Sequence, residues 1–446
     1  MSNYYKRIKN NFFVKSFYII ISIVLGSIIF FQNIIIAKQK EIKIGVIFDY
    51  TGPYAAGGAA LQAQGAKIMI DYLNSQGGIE GYKINAIYAD AQSKPEVAVN
   101  EAVRLIEQEK VNMLLGFYSS GECVPVSARV EKLKSFMWMT GCSSPAVVKG
   151  RHFKYAFRPQ PHGGLMGSAT PDMIAHYSKN KFGINPKDLK VAIIHEDGPY
   201  GVGMSNGNVE GSKKHGFQIV LKEGYAATAP DMSSLITKLK RAKPDVIFHT
   251  GYNPDITLFL RQARELGLKW KALIGHGAGH GAHDKLYEAA GNDADYIFNI
   301  DPANIWLIDP KTLKPGLGEI TKMIAESYKK VAPGVKAISL HVGMAASNSY
   351  VFYSDVLPRA IKKYGGVDPD ALRKAALETD IPVGGTLMGF GVKFYPPEHE
   401  MAGQNARAIG AISQYVGREP KLVWPIDLQT DEPVLPLPKG HIYASK

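Results

Sequence analysis

The chain has 446 residues, of which 46% are hydrophobic and 21% charged, and its formal net charge is +12. This length indicates about two or three domains of 100–200 residues, and the composition excludes a disordered protein. Basic residues alternate with acidic ones and form no stripe with stacking aromatics, which argues against nucleic-acid binding.

The first 37 residues differ from the rest of the chain. Four basic residues precede an apolar run over residues 17–37, and this order is typical of an export signal. Ala37 offers a cleavage point, although the run of about 20 residues would also span a bilayer if it were retained. We predict a signal peptide over residues 1–37 and a periplasmic mature protein, with an uncleaved membrane anchor as the alternative.

Strands and helices alternate in the next part of the chain. This pattern predicts a doubly wound parallel sheet. The predicted strands cover residues 41–49, 83–89, 112–117 and 136–140, and the predicted helices include 95–109 and 123–134.

Small polar turns follow the third and fourth of these strands. Backbone N–H groups and hydroxyls at the carboxyl edge of a parallel sheet suit an anionic ligand group, and no nucleophile is needed there. Ser120 and Ser144 are the candidate donors, and the alternative is that they only cap helices. The candidate residues in these turns are Tyr118, Ser120, Cys142, Ser143 and Ser144.

The two cysteines of the chain, Cys123 and Cys142, lie beside these turns. An exported protein forms a disulfide between them if their Cα atoms come within about 7 Å. Two unpaired, small apolar side chains are the alternative.

A second strand and helix series follows the stiff connector at residues 158–161. Its strands are predicted at 190–195, 218–222, 245–250 and 271–274, with helices at 165–182, 232–242 and 255–266. Tyr200 and Tyr252 follow strand ends, where an aromatic ring with a hydroxyl suits a solute that is partly apolar and partly polar. The alternative is that both tyrosines belong to the core.

The last third of the chain is predicted to return to the first unit and then to cross once more. Helices are expected at 318–331, 338–364 and 368–377, a hairpin near 391–394, and closing strands at 403–416 and 422–425. The last crossing is expected between about 380 and 412. The proline-rich tail from Ile426 is expected to lie on the surface.

Several motifs occur in a specific order along the chain. They are residues 42–46 with 51–53, residues 70–74 with 77–81, then Asp90, and then Gly116 with Ser119 and Ser120. In this order they resemble the leucine/isoleucine/valine-type periplasmic solute-binding proteins of ABC importers, over nearly the whole mature chain.

The resemblance implies an α/β protein with the type I periplasmic binding protein fold: two doubly wound parallel-sheet lobes joined by three hinge crossings. Lobe 1 would comprise residues 41–158 and 303–405, and lobe 2 residues 159–302 and 406–446. The implied protein is a monomer without enzymatic activity or cofactor, and it closes on a small solute and delivers it to an ABC permease. Tyr200 and Tyr252 match the pocket tyrosines of this family.

Two positions depart from the family pattern. Gly277 stands at the position of the family's acidic residue, which pairs with the ammonium group of an amino acid. Gly57 stands at the position of a family tyrosine, whose space Tyr54 could fill. A buried ammonium without a counter-charge is unfavourable by several kcal/mol. We therefore expect an enlarged pocket, and either another acid substitutes or the solute is a carboxylate without an ammonium, such as a keto acid or an aromatic acid. The substitute acids considered are Glu122, Asp197 and Asp301.

Three histidines follow the predicted strand 271–274. His276, His280 and His283 are spaced as Zn²⁺ ligands on one helix face would be, but the glycines between them disfavour a helix. We predict a polar loop in which His276 donates to the solute, and no metal site.

An enzyme and a sensor are the other functional classes. Residues 203–207 match G-x-S-x-G, but they follow the preceding strand by about eight residues, whereas a nucleophile elbow lies on the strand-to-helix turn. A retained anchor would suit a membrane-bound sensing module of the same fold. We favour a solute-binding component of an importer, with a branched-chain or other hydrophobic amino acid, or a related small carboxylate, as its solute.

Overall fold

The first sheet begins with an apolar run whose side chains are buried on both faces, as a central parallel strand requires. In the computed structural model, which describes residues 40–335 and 337–445, this sheet has five parallel strands in the order β2-β1-β3-β4-β5. The bounds of these strands are β1 Lys40–Phe48, β2 Tyr82–Asp90, β3 Met113–Gly116, β4 Phe136–Met139 and β5 Ala156–Phe157.

The second sheet has seven strands in the order β14-β13-β10-β9-β8-β6-β7. Strands β6 to β10 are parallel, β13 runs antiparallel to β10, and β14 runs antiparallel to β13. A hairpin of β11 and β12 is separate from both sheets. The bounds are β6 Lys190–Glu196, β7 Gln218–Tyr225, β8 Val246–Thr250, β9 Ala272–His276, β10 Phe298–Pro302, β11 Asp380–Ile381, β12 Val392–Lys393, β13 Gly410–Val416 and β14 Glu419–Trp424.

Helices cover the faces of both sheets. Taken in chain order, they are α1 Ala60–Ser75, α2 Pro95–Glu107, α3 Ser120–Lys132, α4 Gly163–Tyr177, α5 Pro199–Lys214, α6 Ser233–Ala242, α7 Asn253–Glu265, α8 Gly277–His280, α9 His283–Ala290, α10 Leu317–Val331, α11 Leu340–Val351, α12 Leu357–Tyr364 and α13 Pro369–Leu377. Helices α4 and α5 pack against each other beside the second sheet, whereas α10, α11 and α13 pack against elements of the first. The late helices therefore return to the first lobe.

The chain passes between the sheets three times: after β5, after β10 and before β13. The first and last crossings lie side by side, because Arg158 and Gln404 form a parallel bridge. The Arg158 N–H donates to the Gly403 carbonyl at 2.9 Å, and the Asn405 N–H donates to the Arg158 carbonyl at 3.0 Å. This pairing makes the hinge a small hydrogen-bonded ribbon.

Several predicted elements differ from the structure. The predicted helix 338–364 is two α-helices joined by the π-helical turn Phe352–Val356, and the last crossing delays the predicted strand 403–416 until Gly410. Strand β10 and helix α9 were not predicted. Strand β10 was missed because its sequence, Phe-Asn-Ile-Asp-Pro, is short, contains only two large apolar residues and ends in proline.

The expectation that the tail from Ile426 lies on the surface is wrong for its last part. Tyr443 is buried and its ring stacks on Trp270 with centroids 4.2 Å apart. The Leu437 N–H also donates to the Lys271 carbonyl at 2.8 Å. The apolar surface of these side chains draws the tail onto the second lobe, although its sequence has no periodicity.

Within the described range, no helix combines the length and apolar character needed to cross a membrane. The predicted signal peptide over residues 1–37 lies outside the described residues.

Candidate functional site

A cavity lies between the two lobes, at the carboxyl edges of their sheets, and encloses about 400 Å³ of space including its mouth. The first lobe contributes the turns after β3 and β4 and part of α11. The second lobe contributes residues that follow β6, β8 and β9 and the last two residues of β10.

Ser120 and Ser143 form the polar wall of the first lobe. Ser120 begins α3, and its Oγ accepts from the Ser144 N–H at 3.1 Å. Ser119 caps the same helix, since its Oγ accepts from the Gly121 N–H at 3.2 Å. Tyr118, Cys142 and Ser143, which belong to the same two turns, also line the cavity.

Ser144 does not line this cavity. Its Oγ caps the short helix Pro145–Val147 by accepting from the Ala146 N–H at 3.2 Å. The predicted role of a direct donor hydroxyl is therefore not seen for this residue. Instead, Ser144 holds Ser120 in place through its backbone N–H.

The two cysteines form a disulfide. Cys123 and Cys142 have Cα atoms 6.2 Å apart and join the first turns of α3 to the loop after β4. Cys142 also has a φ of +65°, a conformation that non-glycine residues adopt rarely. The disulfide therefore ties the two polar turns together where the backbone of one of them is unusual.

Tyr200 and Tyr252 supply the aromatic side of the second lobe and line the cavity. The Tyr200 hydroxyl donates to the His276 carbonyl at 2.8 Å. Tyr252 contacts the first lobe: its hydroxyl lies 3.4 Å from Ser119 Oγ, and its ring stacks on Tyr54 with centroids 4.0 Å apart. Because these contacts of Tyr252 join the two lobes, the cleft is closed in this structure.

The expected enlargement of the pocket at Gly57 is wrong. A Cβ atom on Gly57 would lie 2.5 Å from the Asn253 Cβ, so a neighbouring side chain already fills this space. A Cβ on Gly277 would lie 3.0 Å from the Tyr200 hydroxyl and 3.2 Å from Asp301 Oδ1. The space next to Gly277 is therefore occupied by an acid from another strand.

Asp301 is the acidic residue that lines the cavity, among the three considered from the sequence. It lies near the end of β10, is buried, and its Oδ2 has no hydrogen-bond partner in the described structure. Burial raises the pKa of this carboxyl to about 7. A buried carboxyl that lines a cavity and has one oxygen without a hydrogen-bond partner is suited to a cationic group.

The other two acids do not line the cavity. Asp197 is exposed. Glu122 is buried on α3, where burial, with the neighbouring Asp49 adding to it, raises the pKa of its carboxyl to about 10. Glu122 is therefore neutral at pH 7 and is not a counter-charge for a ligand.

The apolar part of the cavity comes from methionines. Met166 and Met204 lie on α4 and α5 of the second lobe, and Met344 lies on α11 of the first. Thioether side chains adapt to ligands of different shape. The sequence reasoning missed all three, because a methionine within a helix looks like an ordinary core residue.

His276 does not face the cavity. Its ring is buried in the second lobe, with Nδ1 3.1 Å from Thr250 Oγ1 and Nε2 3.1 Å from Asn208 Nδ2, and burial lowers its pKa to about 4. The predicted donation to the solute from this ring is therefore wrong. His280 and His283 lie on separate short helices, and no group of three or more potential metal ligands is found among the described residues.

The G-x-S-x-G match lies inside α5, and the Ser205 hydroxyl donates to the Val202 carbonyl at 3.1 Å. A helix-interior serine bonded to its own backbone lacks the exposed turn geometry of a nucleophile elbow.

Comparisons with known proteins agree with this architecture. Residues 41–409 match the sequence model of the periplasmic binding protein family. The chain is 31% identical over 364 residues to the Leu/Ile/Val-binding protein homolog 8 of Brucella abortus, covering 81% of this chain and 86% of that protein. It is 30% identical over 371 residues to homolog 7 of Brucella suis, covering 83% and 88%.

Two solved structures share the fold. The leucine-binding protein LivK of Thermotoga maritima has a TM-score of 0.70 at 20% identity, covering 86% of this chain and 98% of that one. A branched-chain amino acid ABC transporter protein of Thermus thermophilus with bound valine has a TM-score of 0.71 at 16% identity, covering 91% and 98%. The cleft between two doubly wound lobes and the extent of the sequence match lead to one conclusion: the chain belongs to the periplasmic binding proteins of the leucine/isoleucine/valine type.

Proposed function

We propose that this protein binds a small α-amino acid with an apolar side chain in the closed cleft and delivers it to an ABC permease. The observation that carries this proposal is the buried carboxyl of Asp301, whose Oδ2 has no hydrogen-bond partner among the described residues and which shares one cavity with the polar turns of the first lobe. One end of the cavity thus favours a positive group and the other favours a negative group, which suits a zwitterionic solute.

The carboxylate of the solute binds at the first lobe. Ser120 and the loop from Gly141 to Ser143 line the cavity there, at the start of α3. A helix N-terminus favours an anion by about 0.3–1 kcal/mol when exposed and by more when partly buried. Hydrogen bonds from neutral donors to an ionised carboxylate are also stronger than those between neutral groups.

The ammonium group of the solute pairs with Asp301. This carboxyl takes the place of an acid at the Gly277 position, because its Oδ1 lies where a side chain on Gly277 would be. Pairing gives the buried Oδ2 of Asp301 a partner, and leaving either charge without its counter-charge would be costly. A keto acid would leave Asp301 unsatisfied.

The side chain of the solute contacts Met166, Met204 and Met344 and the rings of Tyr200 and Tyr252. These groups favour an apolar side chain of moderate size and discriminate little between its shapes. Lobe closure then removes the solute from water and places both lobe surfaces together for a permease, as hinge-bending binding proteins do.

Calorimetric titration of the mature chain tests the proposal. The probes are the common L-amino acids and, for L-leucine, its keto acid, 4-methylpentanoate and leucinamide. At least one apolar L-amino acid is expected to bind, and removal of the amino or the carboxylate charge should weaken binding at least tenfold. If no amino acid binds, or if 4-methylpentanoate binds as tightly as L-leucine, the proposal fails.

Asp301→Asn and Asp197→Asn form a matched pair of variants. Both remove one carboxylate from the second lobe, but only Asp301 lines the cavity. Asp301→Asn should weaken amino-acid binding at least tenfold and leave the des-amino acid unaffected. Asp197→Asn should bind like the parent.

The second candidate is a membrane-anchored sensing module with the same ligand, and the apolar run over residues 17–37 favours it. Cell fractionation separates the two: a periplasmic component is released by osmotic shock, whereas an anchored one sediments with membranes.

A further inference from the structure

The Arg158 side chain is fully buried at the first hinge crossing, directly behind the loop that lines the cavity. Its Nη1 donates to the carbonyls of Cys142 and Ser144, the latter at 2.7 Å. Its Nε donates to Gln404 Oε1 at 2.6 Å. One guanidinium thus holds the loop and the last hinge crossing together.

The charge of Arg158 has no acidic partner. Among the ion pairs of the described residues none involves Arg158, and its Nη2 has no hydrogen-bond partner there. Burial lowers the pKa of this guanidinium to about 9, so that it stays protonated at pH 7. A buried cation bonded only to neutral oxygens is unfavourable unless an anion approaches.

The peptide group between Cys142 and Ser143 connects this cation to the cavity. In a trans peptide the C=O and N–H bonds point in opposite directions. Because the Cys142 carbonyl faces Arg158, the Ser143 N–H faces away from it, and Ser143 lines the cavity. No acceptor within the described residues takes this N–H, which leaves it free for a ligand.

We propose that Arg158 is the counter-charge and positioning residue for the carboxylate of the solute, acting through the Cys142–Ser143 peptide group. Its hydrogen bond orients the peptide so that the N–H points into the cavity, and its unpaired charge polarises that N–H toward an anion. This inference rests on the carboxylate end of the proposed function and does not require the solute to carry an ammonium.

The hinge contacts extend this role to closure. Gln404 also donates to the Gln160 carbonyl at 2.7 Å, and Gln160 lines the cavity. Asn405 Nδ2 donates to the Pro159 carbonyl at 2.7 Å. A carboxylate bound at the Ser143 N–H therefore lies next to the first and last hinge crossings.

The test uses acetate as a carboxylate probe and acetamide as its neutral counterpart. With the mature chain labelled with ¹⁵N-serine, acetate should shift the Ser143 amide resonance saturably in the parent, and acetamide should not. Two variants remove the free cation in different ways. Arg158→Gln deletes it, whereas Gln404→Glu keeps the arginine and gives it a carboxylate partner of the same size.

Both variants should raise the apparent Kd for acetate at least tenfold, and Arg158→Lys should recover part of the loss. Arg407→Gln, which removes a cation near the last crossing that pairs with Asp380, should bind acetate like the parent. If Arg158→Gln does not fold, Gln404→Glu decides the question, because a purely structural role of Arg158 would survive in it.

Acetate binding to Gln404→Glu within twofold of the parent, or the absence of a Ser143 shift in the parent, would overturn the inference. If the proposed function is wrong, the result is different: acetate would bind as described, but no amino acid would bind. Conversely, if an amino acid binds tightly and Gln404→Glu does not change its affinity, the proposed role of Arg158 is wrong while the proposed function stands.

Discussion

Asp301 occupies the space beside Gly277 that a side chain on this glycine would need, since a Cβ there would lie 3.2 Å from Asp301 Oδ1. Gly277 has a φ of +32°, and any larger residue would also press on the Tyr200 hydroxyl at 3.0 Å. The absence of a side chain at position 277 and the presence of the acid at 301 are therefore two parts of one arrangement.

Amino-acid binding should depend on pH through Asp301. Because the pKa of its buried carboxyl is about 7 in the empty cleft, protons compete with the ammonium of the solute below that pH. Affinity should fall by roughly tenfold per pH unit below about pH 6. Calorimetry between pH 5 and pH 8 measures this, and Asp301→Asn should show weak, pH-independent binding. Equal slopes in parent and variant would contradict the assignment.

Asp301→Asn should also stabilise the empty protein at pH 7. The pKa of the Asp301 carboxyl is higher in the folded protein than in the unfolded chain, so the folded state keeps its proton up to a higher pH. The free energy of unfolding therefore declines as the pH rises from about 4 to about 7. An asparagine at position 301 does not ionise, so the variant does not lose stability over this pH range. Thermal unfolding without ligand should therefore show a higher Tm for the variant at pH 7 and little difference at pH 4.

Glu122→Gln should stabilise the protein near pH 8. Burial raises the pKa of Glu122 to about 10, so that unfolding releases a proton and becomes easier as the pH rises above about 5. The neutral glutamine avoids this and should add about 1–3 kcal/mol to the free energy of unfolding at pH 8. Urea titration is the measurement. The exposed Glu107→Gln is the control, and equal effects of the two variants would argue against a buried neutral carboxyl.

Loss of the disulfide should destabilise the first lobe. Cys123 and Cys142 are 19 residues apart, and a loop of this size corresponds to about 3 kcal/mol in the chain-entropy picture. The double variant Cys123→Ser with Cys142→Ser should therefore unfold at a lower temperature than the oxidised parent. It should also bind solute more weakly, because Cys142 would lose the bond that holds its positive φ. An unchanged Tm would contradict the first expectation, and unchanged affinity the second.

The polar turns and the aromatic residues of the cleft were predictable from the sequence because both follow strand ends. In a doubly wound sheet, strand order brings such ends to one edge, so Ser120, Ser143, Tyr200 and Tyr252 meet without any knowledge of side-chain packing. The capping role of Ser144 was the alternative weighed for both serines, and the geometry favours it for that residue only.

Tertiary contacts decided what the sequence left open. Asp301 lies in a strand that local pattern did not reveal, and only packing next to Gly277 brings its carboxyl to the cavity. The position of His276 at the end of a strand favoured a place in the cleft, but its ring packs inside the second lobe against Thr250 and Asn208. The hydrogen bond from Arg158 to the Cys142 carbonyl joins residues 16 positions apart in different loops, and hydrophobic periodicity carries no information about such a contact.

The stack of Tyr54 on Tyr252 has a kinetic consequence. Two aromatic rings from opposite lobes contact each other across the cleft, so a solute enters only after the lobes have separated. Uptake by the free protein then becomes a two-stage event in which the parting rate sets a ceiling. In rapid mixing, the observed rate should level off at high solute concentration, and replacing Tyr54 with alanine should lift that plateau.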